Sequence, residues 1–138
     1  MSGKAQILDA SVALKCFFAE ADSERAQDLV LSQADWIAPE LIFLEVANVA
    51  ALRVRRGLSP ADAATQAIGG LRALLLETSP LDRLVGAALE LAVQHGFSAH
   101  DAAYVALAVD EESVVLTADL KLAQRAEAAG LADYVRTL

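Results

Sequence analysis

Short apolar segments alternate with longer segments of helical periodicity along most of this chain. Three of the short segments, 5–8, 36–38 and 114–117, have the length and the apolar or β-branched composition of buried strands. A fourth, 133–135, fits an edge strand. Alternating strands and helices predict an α/β fold, a three-layer sandwich whose central, mostly parallel sheet is flanked by helices. The length suits one domain spanning 1–138.

Capping residues predict where the helices begin and end. We expect Ser11 to cap the first helix, Pro39 to stand in the first turn of the third, and Gly57 to end that helix. The pair Gly69-Gly70 is expected to break or bend the next one. Three Ser-x-x-Asp sequences, a pattern typical of a capping box, predict further helix starts at 59–62, 79–82 and 98–101.

Composition limits the possible functions. A net charge of −8 argues against tight, sequence-independent binding of nucleic acid by the whole surface, although divalent cations can reverse the sign of a local acidic site. The single cysteine, Cys16, excludes an internal disulfide and a thiolate zinc cluster, and two histidines alone do not fill a usual zinc site. With no secretory pattern and no apolar run long enough to cross a bilayer, we expect a cytoplasmic protein without membrane contact.

Two acids follow predicted strands. Asp9 comes directly after the first strand, and Asp119 follows the strand at 114–117. Ligands of open α/β sheets bind outside the carboxyl ends of the strands. Neighbouring strands lie about 4.8 Å apart, so two such carboxylates could share one cation. The structural alternatives are a turn residue for Asp9 and a helix cap for Asp119.

Two further acids lie on predicted helices. Glu45 sits on a mostly apolar helix face, which is costly for a carboxylate unless it is paired or binds a metal. Asn48 adds a polar group one turn further on. Asp101 is the last residue of the third capping box, where a carboxylate favours the helix N-terminus. A solvated position for Glu45 and a capping role for Asp101 remain open.

The four segments that contain these acids resemble, in this order and spacing, the PIN-domain family, and especially its VapC-type toxins of bacterial toxin–antitoxin pairs. The resemblance covers almost the whole chain, about 6–130. The segments are Asp9–Leu14, Glu45–Asn48, His100–Ala108 and Leu116–Asp119.

The resemblance implies a metal-dependent endoribonuclease with Mg²⁺ or Mn²⁺ as cofactor and RNA as substrate. It also implies a cognate antitoxin and a homodimer. Asp9 and Asp101 are expected to be the direct metal ligands. The catalytic acids would be Asp9, Glu45, Asp101 and Asp119, and the supporting polar residues Ser11, Asn48 and Thr117.

Four basic residues are candidate RNA contacts. Arg53, Arg55 and Arg56 end the long helix, where cations also stabilise the helix C-terminus without touching RNA. His100 stands before the third acid, where members of the family commonly carry an aromatic residue. This difference concerns local substrate contacts rather than the fold.

Two other functions fit parts of the pattern. An aspartyl-nucleophile phosphotransferase of the haloacid-dehalogenase type would carry Asp-x-Asp after the first strand, but Ser11 occupies the second acidic position. A degenerate PIN-like module that acts only in complex assembly is disfavoured because all four expected acids are present. Metal-dependent cleavage of RNA distinguishes these alternatives.

Overall fold

The computed structural model describes residues 4–32 and 35–138, and within them five short strands form one sheet. The strand order is β3-β2-β1-β4-β5, and every neighbouring pair is parallel. The strands are β1 (Gln6–Leu8), β2 (Trp36–Pro39), β3 (Glu77–Ser79), β4 (Val115–Thr117) and β5 (Val135–Thr137). The predicted α/β fold with a parallel central sheet is confirmed. The single-domain prediction also covers residues 1–3 and 33–34, which lie outside the described residues.

Helices connect and flank the strands. In chain order they are α1 (Ala10–Phe17), α2 (Ser23–Ser32), α3 (Leu41–Arg55), α4 (Ala61–Leu74), α5 (Leu81–His95), α6 (Ala99–Asp110) and α7 (Leu120–Ala128). A short 3-10 helix, Ala132–Tyr134, precedes β5. In the described ranges no helix has the combination of length and apolar character that a membrane span requires.

The core lies around β1, the central strand. Ile7 and Leu8 are fully buried, as are Val115 and Leu116 of β4 beside them. Strands covered by helices on both faces are largely apolar, and two of the three residues in each of these strands fit that pattern. Helix α6 is buried over seven consecutive residues, 102–108, so it is the helix most enclosed by the rest of the fold.

Two predicted helix starts were wrong. Helix α1 is capped by Asp9 and not by Ser11, because the Asp9 side chain accepts the Ser11 amide. The Ser11 hydroxyl instead accepts the Ala118 amide at 2.9 Å. Pro39 ends β2, where it pairs with Ser79, so it does not stand in the first turn of α3.

The helix starts predicted at 59–62, 79–82 and 98–101 are all confirmed, but only the third has the serine cap, with the Ser98 hydroxyl accepting the Asp101 amide at 3.1 Å. Helices α4 and α5 are preceded by Pro60 and Pro80, neither of which makes a side-chain capping bond. Ser79 is a buried residue of β3, a strand that the sequence pattern did not predict.

The predicted break at Gly69-Gly70 was also wrong, since α4 runs through both residues. A Cβ on Gly70 would lie 2.6 Å from the Phe17 ring, so this glycine permits close packing of α4 on α1. The predicted C-terminal edge strand is confirmed, but it spans Val135–Thr137 and not 133–135.

Candidate active site

Asp9 lies at the carboxyl end of the central strand and is only 7% exposed. Its Oδ2 atom accepts hydrogen bonds from the hydroxyl of Ser11 and from the hydroxyl of Thr117, the latter at 2.9 Å. The Ser11 amide lies 3.4 Å from the same oxygen. Three donors therefore converge on one carboxylate oxygen.

The two hydroxyls are themselves held by the turn after β4. The Ala118 amide donates to Ser11 Oγ at 2.9 Å, and the Asp119 amide donates to Thr117 Oγ1 at 3.0 Å. Because each hydroxyl accepts an amide, its own proton is directed at Asp9. This network fixes Oδ2, while no donor in the described part of the chain bonds to Oδ1.

Burial raises the pKa of Asp9 and outweighs the hydrogen bonds from Ser11 and Thr117, which lower it. The negative charge of Asp119 raises the pKa further. A buried carboxylate is costly without compensation, and these donors are the compensation that the fold provides.

Glu45 lies on α3 and is partly buried. Its Oε1 accepts a 2.6 Å hydrogen bond from the hydroxyl of Tyr104, whose side chain is 1% exposed on α6. Burial is the main cause that raises the pKa of Glu45, followed by the charges of Asp9 and Asp101; the Tyr104 bond and His100 lower it. Burial also raises the pKa of Tyr104, which keeps this phenol protonated as a donor.

Asp101 and Asp119 lie at helix N-termini. Asp101 stands in the first turn of α6, and its pKa is raised by burial first and then by the charges of Asp9 and Asp119. Asp119 caps α7, with Oδ1 accepting the amides of Lys121 at 2.9 Å and Leu122 at 3.4 Å. The predicted capping role of Asp119 is confirmed.

The four acids share one electrostatic environment, because the charge of Asp9 acts on both Glu45 and Asp101, and Asp119 acts on Asp9 and Asp101. In residues 4–32 and 35–138, no group of three Asp, Glu, His or Cys side chains forms a ready-made metal cluster. Mg²⁺ commonly keeps several waters and takes only one or two protein carboxylates, so these oxygen ligands fit such an ion.

The remaining predicted polar residues form two groups, those that line a groove and the arginines at the end of α3. Asn48 and His100 are exposed and, together with Glu45, are among the residues that line an apolar groove of about 870 Å³ between α3, α5 and α6. Arg53 packs on the Phe18 ring at 4.8 Å and donates to Ser59 at 3.1 Å, so it has a structural role at the end of α3.

Arg55 and Arg56 are exposed and lie ten and eleven residues after Glu45. On a helix that separation is roughly 15 Å along the axis. RNA contact by these arginines therefore requires a substrate that extends well beyond the acidic site.

Tyr104 was not assigned a role from the sequence. The available signal was its spacing: it lies three residues after Asp101, which places both on one face of a helix. A buried tyrosine usually finds a polar partner for its hydroxyl, and Glu45 is that partner here.

Comparisons with known proteins agree with this geometry. A family model described as "PIN domain" matches residues 7–128. Ribonuclease VapC3 of Pyrobaculum aerophilum is 32% identical over 121 residues, which cover 86% of this chain and 92% of that protein. The crystal structure of PAE2754, from the same organism, shares the fold with a TM-score of 0.67 and 22% identity, covering 88% of this chain and 79% of that one.

Proposed function

This chain belongs to the PIN domain family, and from that premise we propose that it is a divalent-metal-dependent endoribonuclease, the toxin of a type II toxin–antitoxin pair. The observation that carries the proposal is the Asp9 carboxylate. Hydrogen bonds hold it at the end of the central strand, and it shares one electrostatic environment with three other acids. The similarity to a ribonuclease over most of both chains supports RNA as the substrate.

Asp9 and Asp101 are the proposed metal ligands, with Glu45 and Asp119 binding directly or through water. Ligands that are all oxygen suit Mg²⁺ or Mn²⁺. When bound, such an ion lowers the pKa of a water molecule and stabilises the charge that develops on the phosphate.

The protein groups then act on the proton and on the substrate. Attack by water on phosphorus breaks the bond to the leaving sugar oxygen, and one proton must leave the attacking water. Glu45 is the proposed acceptor, because burial raises its pKa above the ordinary value and Tyr104 fixes its Oε1 atom. Asn48 and His100, which are exposed beside Glu45, are the proposed RNA contacts.

Conservative variants of the acids test the activity. We expect Asp9→Asn, Glu45→Gln, Asp101→Asn and Asp119→Asn each to reduce Mg²⁺-dependent cleavage of RNA by about 100-fold or more.

Asp62→Asn and Asp82→Asn are the matched controls, because both acids are exposed in the first turn of a helix and end the same Ser-x-x-Asp pattern as Asp101. They should cleave RNA like the wild type. Equal losses in Asp62→Asn, Asp82→Asn and Asp101→Asn would remove the special role of Asp101. Full activity of Asp9→Asn would remove Asp9 from the active site, whereas a wild type that cleaves no RNA with Mg²⁺ would favour a binding module without catalysis.

The proposal includes a cytoplasmic location, a homodimer and a cognate antitoxin, which covers the acidic site with a basic segment. The net charge of −8 would speed that encounter. Purification from the native host should recover the chain with a small second protein. Recovery as a monomer without one would contradict this part.

A further inference from the structure

Half of the arginines of this acidic chain lie in one segment. Residues 46–76, which cover most of α3 and all of α4, contain four arginines and a single acid, Asp62. The rest of the chain contains seven Lys or Arg residues and eighteen Asp or Glu residues. A charge asymmetry of this kind favours a local surface for an anionic partner, although the chain as a whole is acidic.

Two of the four arginines have their charged groups available to such a partner. Arg53 and Arg72 place their guanidinium groups on aromatic rings, and Arg53 also donates to Ser59. Arg55 and Arg56, the arginine pair, are exposed at the end of α3. In residues 4–32 and 35–138, no side-chain hydrogen bond or ion pair involves either of them. The planar fork of each guanidinium matches two oxygens of a phosphate.

Helix periodicity places the arginine pair on the face of α3 that carries the site residues. Glu45 and Arg56 are eleven residues apart, which is about three helical turns. Asn48 and Arg55 are seven residues apart, which is about two turns. Two adjacent rows therefore run along α3 from Glu45 and Asn48 to the arginine pair.

A second helix supports the same separation from Asp9. The Arg53 guanidinium lies 4.8 Å from the centroid of the Phe18 ring, and Phe18 ends α1, the helix that Asp9 caps at its start. Helices α1 and α3 therefore both begin at the acidic site and end near the arginine pair. At 1.5 Å per residue, the two helices give roughly 13–16 Å between the acids and the arginine pair.

We propose that the arginine pair is an exosite for the RNA backbone, which binds phosphates outside the cleaved bond and favours an extended RNA over a short fragment. The inference rests on the proposed ribonuclease function. A stacked strand in B-form geometry rises about 3.4 Å per nucleotide, so the separation corresponds to roughly four or five nucleotides. Phosphate contacts position a nucleic acid without reading its sequence, so the exosite fixes the path of the substrate and not the base that is recognised.

Binding of RNA to an inactive variant tests the exosite without cleavage. Fluorescence anisotropy measures the Kd of a labelled RNA of about 12 nucleotides in the Asp9→Asn background. The change Arg55→Gln/Arg56→Gln should raise this Kd by about 10-fold or more. It should also lower the slope of log Kd against log salt by about 1.4, because each phosphate contact on a single strand contributes about 0.7.

Two further double variants separate the exosite from other effects of charge. Arg25→Gln/Arg83→Gln is the matched control, because both arginines are exposed on other helices and the same charge is removed. It should change the Kd and the salt slope much less. Arg55→Lys/Arg56→Lys keeps the charge near the C-terminus of α3 and should recover part of the affinity. Thermal unfolding verifies that each variant folds.

Substrate length separates the exosite from the acidic site in cleavage assays with active protein. An RNA of about 12 nucleotides spans the distance from the acids to the arginine pair, and an RNA of about three nucleotides does not. The wild type should therefore cleave the longer RNA with the higher kcat/KM. Arg55→Gln/Arg56→Gln should reduce the ratio of the two kcat/KM values by about 10-fold, through KM of the longer RNA.

An unchanged Kd and salt slope in Arg55→Gln/Arg56→Gln, or an equal loss in the matched control, would overturn the proposal. So would an equal loss of kcat/KM for both lengths of RNA, which would indicate a change in the acidic site. A double variant that keeps RNA binding but loses a co-purifying acidic protein would assign the arginine pair to a protein interface instead. RNA binding that depends on the arginine pair, in a wild type that cleaves no RNA, would support the exosite and refute the ribonuclease function.

Discussion

Removing one hydroxyl, in Tyr104→Phe, tests whether the buried phenol stabilises Glu45. The Tyr104 hydroxyl donates to Glu45 Oε1 at 2.6 Å. Phenylalanine keeps the ring in place, so the variant opens no large cavity. It leaves a partly buried carboxylate without its donor.

A hydrogen bond to a charged group contributes roughly 1.5–3 kcal/mol to stability. Glu45 is only partly buried and can regain some hydration, so we expect a loss of about 2 kcal/mol at neutral pH. For a domain of this size that corresponds to a fall in Tm of roughly 5–10 °C.

The loss should depend on pH in a defined direction. The Tyr104 bond lowers the pKa of Glu45, although burial keeps it raised overall. Removing the bond raises the pKa further, and this penalty exists only while Glu45 is ionised. The difference in Tm between wild type and variant should therefore shrink as pH falls through the folded pKa of Glu45.

The assay is thermal unfolding in chelator at neutral and acidic pH, in wild-type and Glu45→Gln backgrounds. Tyr104→Phe should cost clearly less in Glu45→Gln, where no charge needs the donor. Tyr134→Phe is the control, because no described hydrogen bond involves the hydroxyl of this half-buried residue, and it should change Tm little. An unchanged Tm for Tyr104→Phe, or an equal loss in both backgrounds, would refute the reasoning.

Three further predictions concern the acids without and with metal. In chelator at neutral pH, Asp9→Asn should be as stable as the wild type or more stable in thermal unfolding, because burial penalises the ionised form; a clearly lower Tm would make Asp9 a purely structural cap. The folded pKa values of Asp9, Glu45 and Asp101 are raised, so wild-type stability in chelator should increase as pH falls from neutral through those values, and the increase should be smaller in Asp9→Asn. Mg²⁺ should raise the Tm of the wild type more than that of Asp9→Asn, since the ion binds the folded state; equal shifts would exclude Asp9 as a ligand.

The sequence predicted the parts of the site that depend on strand order. A carboxylate directly after a buried strand, as Asp9 is, has a defined place in a parallel sheet before any other contact is known. The roles of Ser11 and Thr117 came from the family resemblance, and the structure adds that their hydroxyls bond the same oxygen of Asp9.

Features that depend on contacts between distant segments were missed. Strand β3 has three residues, none of them apolar and only one of them buried, so it has no hydrophobic pattern, and Ser79 also belonged to a predicted helix start. The bond between Tyr104 and Glu45 joins residues 59 positions apart, and no local pattern contains that distance. A helix break was predicted at Gly70 because local sequence does not show that this glycine packs against Phe17, a residue far from it in the chain.

The capping and the catalytic interpretations of the acids are not alternatives, and their combination explains how the fold holds four carboxylates together. Neither described salt bridge involves these acids, so Lys and Arg do not neutralise them. Three of the acids instead lie at helix N-termini, where the helix dipole and free amides favour negative charge: Asp9 on α1, Asp101 on α6 and Asp119 on α7. Glu45 is the exception, as the fifth residue of α3, and it is the acid that receives a buried phenol donor. Neutral donors leave the negative field of the site intact for a divalent cation, which a lysine or arginine in the same place would cancel.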